Sequence, residues 1–88
     1  MALPGEELIE RGLADLRAGR ETVEALLVAI GAPRLRDLEI AVPAGPQDPE
    51  SRLYALLAEE EPDSAHSRYN ALVARLVSYE RAAECVRP

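Results

Sequence analysis

The chain has 88 residues, 48% of them apolar and 30% charged, with a formal net charge of −6 at pH 7. A chain this short makes one domain with a limited core, and its acidity sets it against nucleic-acid phosphates and anionic membrane surfaces. Its single cysteine, Cys85, excludes an internal disulfide.

Fifteen alanines and thirteen leucines, with no Phe or Trp, favour helix over sheet. The expected fold is all-α: a small, irregular four-helix bundle with a C-terminal helical hairpin, one domain over residues 1–88. The opening "MALPGEELIE" lacks a basic segment followed by an apolar one. The longest apolar run, 25–30, is six residues, far short of a membrane span. A cytoplasmic location is therefore expected, away from membranes and nucleic acid.

The first helix is expected in "PGEELIERGLADLRAG", residues 4–19. Pro4 suits the first helical position, Glu6 and Glu7 the first turn, Arg17 the last, and Gly19 the residue just past the end. Ile9, Leu13 and Leu16 share a face. Gly12 in the interior marks a close contact with a neighbour.

The second helix starts from a Thr22 cap and is expected to stop at Gly31. Val23, Leu26, Leu27 and Ile30 follow the i, i+3, i+4, i+7 pattern. Pro33 is expected to restart a separate short turn, whose Leu35 and Leu38 fold back on the core. "AVPAGPQDP", residues 41–49, is the one clear loop, with three prolines and a glycine.

Asp48 and Pro49 read as cap and first residue of the third helix, which Pro62 ends. The fourth helix carries the most regular pattern in the chain. Ala65, Tyr69, Leu72, Leu76, Tyr79, Ala83 and Val86 recur in alternating steps of four and three, a heptad stripe that Val73 and Val77 widen. Such a stripe suits packing against two neighbours.

Residues able to carry chemistry are few. Asp63, read as the cap of the fourth helix, and His66 stand three apart, the spacing of a carboxylate–histidine metal half-site. Carboxylate-bridged dimetal bundles need that unit twice with further glutamates, and it occurs once, so Asp63 and His66 are weak candidates and no metal or other cofactor is expected. Cys85 sits near the negative end of its helix, an environment opposed to a nucleophilic thiolate. Ser64 and Ser67 neighbour His66 without a glycine-rich elbow, and Ser64 reads more simply as a capping or first-turn residue. No phosphate-binding glycine loop is present. Residues 22–40 have the order of a helix-turn-helix with Arg34 and Arg36 on the second helix, but Asp37 falls where packing wants an apolar side chain. No enzyme is expected.

Two surface features remain. Glu59, Glu60, Glu61 and Asp63 form an acidic patch within "EEEPD". The back of the fourth helix carries Ser67, Ala71, Ala74, Ser78, Ala82 and Cys85, small side chains that let another helix approach closely. The expected function is a small interaction or regulatory module, a homodimer or a subunit of another protein, associating through this last helix. The alternative is an acidic antitoxin- or inhibitor-type subunit that neutralises a basic partner; a metal-dependent enzyme using Asp63 and His66 across a dimer ranks behind both.

Overall fold

A computed structural model describes residues 3–86. Four α-helices follow one another: α1 (Glu6–Arg17), α2 (Val23–Asp37), α3 (Pro49–Glu60) and α4 (Ala65–Val86), with a 3₁₀ turn, Pro62–Ser64, between the last two. No strand occurs among the described residues. The all-α bundle and its C-terminal hairpin are present. Tyr54 of α3 and Tyr69 of α4 meet across that hairpin with ring centroids 5.9 Å apart.

α2 is the central element and touches each of the other helices. Leu27 and Leu35 are fully buried on it, with Leu26, Val28 and Ala32 beside them; Leu53 and Leu57 of α3, and Ile9 and Leu13 of α1, complete the core. Because neighbours surround it, α2 is apolar on most of its circumference rather than along one stripe.

That position explains the first departure from expectation. α2 does not stop at Gly31 but runs unbroken through Pro33 to Asp37. The helix–turn–helix order therefore does not form. A proline inside a helix costs about 3 kcal/mol through its missing N–H and its ring. Pro33 is exposed, so its ring lies outside the core, and the bond lost is the one to the Ala29 carbonyl. Carrying the helix two turns further buries Ala32, Leu35 and Leu38, and each leucine so buried contributes about 1.5–3 kcal/mol. The helix then closes with Ile40 N–H on the Leu35 carbonyl and Glu39 N–H on that of Arg36. Leu35 and Leu38 reach the core as expected, although from one continuous helix.

Three helix starts also differ. α1 begins at Glu6 behind Gly5 (φ 73°), leaving Pro4 outside the helix. Asp48 occupies the cap position of α3 in a left-handed conformation (φ 52°) and its side chain makes no capping bond. Asp63 is not the cap of α4: it lies within the 3₁₀ turn that leads into it. Pro62 imposes that tighter turn immediately after α3 ends.

Gly12 does mark a close contact. A Cβ there would lie 2.4 Å from the Glu24 carbonyl oxygen and 2.4 Å from Val28 Cγ2. The α1 and α2 backbones approach each other at this point as only glycine permits. Gly19 (φ 74°) ends α1 as expected, with Arg20 N–H on the Asp15 carbonyl. The 41–48 loop is held rather than loose: Val42 is buried and Arg36 donates to the Val42 and Pro43 carbonyls.

Candidate functional site

α4 is the longest helix and the least enclosed. Of its 22 residues only Ala65, Leu76 and Ala83 are buried. Tyr69, Leu72 and Tyr79 of the heptad stripe pack against the core while partly exposed. Val86, the last member, is 67% exposed, so the stripe runs out past the core it was expected to cover. Burial pushes the Tyr79 phenol above its usual range, helped by the carboxylates of Glu6 and Glu10.

The stripe seats α4 against three neighbours. Leu76 fits the notch left by Gly31, where a Cβ would lie 2.8 Å from Leu76 Cδ1. Arg75 donates to Glu7 of α1 at 2.9 Å, Arg68 to Glu60 of α3 at 3.1 Å, and Arg34 of α2 pairs with Glu84. These pairs are exposed and contribute little individually, but they mark which flank of α4 meets which helix.

The small-residue row lies opposite this seat. Ser67, Ala71, Ala74, Ser78 and Cys85 are exposed, and Ala82 is half-buried. Ala71 also borders the groove that α4 forms with α2 and α3, so the row is most open at Ser67, Ala74, Ser78 and Cys85.

The sequence cluster around His66 disperses. His66 is exposed, its Nε2 is 3.3 Å from Asn70 Nδ2, and its ring stands edge-on to Tyr54 with centroids 6.5 Å apart. Asp63 is also exposed. Among the described residues no three His, Cys, Asp or Glu side chains converge as a metal site would require. Ser64 does not cap α4: its Oγ is buried without a hydrogen-bond partner. Cys85 is a free, exposed thiol.

The acidic patch divides. Glu60 pairs with Arg68, while Glu59, Glu61 and Asp63 are exposed and make no ion pair among the described residues. A groove of about 640 Å³ opens beside this end of α3, floored by Val23, Leu56 and Leu72 and rimmed by Glu24, Glu60, Arg68 and Arg75.

One polar centre has no counterpart in the sequence reading. Asp15, buried at the end of α1, accepts from Thr22 Oγ1 at 2.6 Å and from Arg20 at 3.0 Å, and Thr22 in turn accepts from Ala25 N–H at 3.1 Å. The Thr22 hydrogen bond is the largest influence holding the Asp15 carboxyl below its ordinary range; burial opposes it and Arg20 reinforces it. The network ties the end of one helix to the cap of the next. The pairing of Asp15 with Thr22 across a glycine turn was the available signal. It is a structural tie, not a reacting group, because each of its oxygens is already satisfied.

Comparison with protein-family models, with curated proteins and with solved structures returns no significant match.

Proposed function

We propose that the protein is a small interaction module that associates with a second copy of itself through the outer face of α4. The observation that supports this is the exposed, uninterrupted row Ser67, Ala71, Ala74 and Ser78 on the longest helix, opposite the face that seats it on the bundle. Small side chains in such a row let a second helix approach closely, and a closed symmetric pair is the commonest outcome of self-recognition. Light scattering on the eluting protein at low micromolar concentration is expected to give twice the chain mass. Ala74→Glu, which lies outside the core, is expected to return it to a monomer without loss of helicity. A wild-type monomer sinks the reading.

A second reading takes the same fold as an acidic subunit that neutralises a basic partner. It is supported by Glu59, Glu61 and Asp63, exposed carboxylates without ion-pair partners at one end of the hairpin. A basic protein that copurifies with the wild type and is lost from the triple variant Glu59→Gln, Glu61→Gln, Asp63→Asn supports it. Copurification that survives this triple change removes it.

A further inference from the structure

Glu80 stands where α4 crosses the second half of α2. Its Oε2 lies 3.0 Å from the point a Cβ would occupy at Gly31, and Leu76 fills the rest of that notch. The carboxylate is thus pressed toward the α2 backbone and is half-buried. Charged groups near it are Arg34, from α2, and Glu84, one turn further along α4. Arg34 gives its guanidinium to Glu84. Glu80 has no hydrogen bond and no ion pair among the described residues. α1 brings Glu6 and Glu10 toward the neighbouring Tyr79; of the surrounding charges only Arg34 bears on Glu80 itself. Two carboxylates therefore compete for one cation at an interface, and the more enclosed of the two is the one left without it.

We propose that Glu80 is a proton-sensitive latch: the C-terminal half of α4 seats more tightly on α2 when this carboxyl holds a proton, and loosens when it is charged. Desolvation is the main reason that the folded protein favours the protonated form, and Arg34 offsets only part of it. Because the carboxyl is held above its ordinary value of 4.5, the charged group weakens the contact at neutral pH. That cost is relieved as the pH falls through the folded-state value toward 4.5. The latch goes beyond the self-association proposed above, since it concerns the inner face of α4 and not the outer one.

Amide hydrogen exchange on the full chain tests it, comparing the wild type with Glu80→Gln and Glu80→Leu at matched pH so that intrinsic exchange rates cancel. Near pH 7, residues 77–86 are expected to exchange about three- to tenfold more slowly in both variants, with α1 unchanged. As the pH falls the ratio is expected to shrink, reaching about one only below pH 4.5, where the carboxyl is protonated in the open state as well. The leucine variant keeps the test open if glutamine at this position does not fold. Variants that exchange as fast as the wild type near pH 7 overturn the proposal. So does an advantage that persists on acidification, or an equal slowing of α1.

Discussion

α2 and α4 make opposite use of their sequences. α2 holds a glycine and a proline in its second half and shows no single apolar stripe, yet it is the most enclosed helix of the bundle. α4 repeats its apolar residues without a break over three heptads, yet only three of its 22 residues are buried. Periodicity thus describes how a helix is prepared to pack. How far it is buried depends on the neighbours that reach it. α2 is surrounded by α1, α3 and α4, whereas α4 packs mainly on α2 and α3.

The contrast can be broken most severely at the centre of α2. Leu27→Ala removes a side chain with no exposure at all and is expected to cost about 2–5 kcal/mol in a urea-unfolding measurement. If the loss is below 1 kcal/mol, α2 is not the element that organises the core.

Next in size is a gain. Pro33→Ala restores the missing N–H on the exposed side of α2 and is expected to stabilise the protein by up to about 3 kcal/mol. A loss on the same substitution would mean that the chain needs the proline to turn there, as the sequence first suggested.

Gly12→Ala forces a methyl group to within 2.4 Å of the Glu24 carbonyl oxygen. Overpacking of this kind costs about 1–3 kcal/mol, readable as a lower urea midpoint. No change would show that α1 and α2 can separate at this crossing.

A smaller effect is expected where α2 begins. Thr22→Ala removes the helix cap, at about 1 kcal/mol, together with the hydrogen bond that keeps Asp15 ionised. The Asp15 carboxyl is held below its usual value of 3.8, so its contribution is present above that pH and is lost as the pH falls through the folded-state value. The difference between wild type and variant should therefore be full at neutral pH and shrink below about pH 4. A pH-independent difference would assign the whole effect to the cap.

At the far end of α4 the expected effect is close to zero. Val86→Ser, although it breaks the heptad stripe, should shift stability by less than about 0.5 kcal/mol because the side chain is 67% exposed. A loss in the dimer alone would place Val86 in the interface proposed for this helix.

For the candidate site, the sequence located the small-residue row of α4 but could not say whether another helix of the same chain covers it. The heptad phase separates the two faces of α4, so Ser67, Ala71, Ala74 and Ser78 fall opposite Leu76 by geometry alone. That Asp63, His66 and the serines beside them do not form one constellation was legible for the same reason, since neighbours in sequence point in different directions around a helix. The Asp15 network and the Glu80 notch were not read from the sequence, although Asp15 and Thr22 flank a glycine turn. Each depends on a contact between two helices, at Thr22 and at Gly31, and neither contact leaves a periodic trace.

By itself, the sequence determined that the chain is all-helical, where α1 and α3 end, that Gly12 is a close crossing, and that the last two helices form a hairpin. These follow from local chemistry: spacing of leucines, glycine at an end, proline at a start. Only the tertiary structure decided that α2 continues through Pro33, that the cap of α4 is replaced by a 3₁₀ turn, and that Val86 lies outside the core. At Pro33 a local cost of about 3 kcal/mol is set against the burial of Leu35 and Leu38 on other helices, and that balance exists only once they are in place.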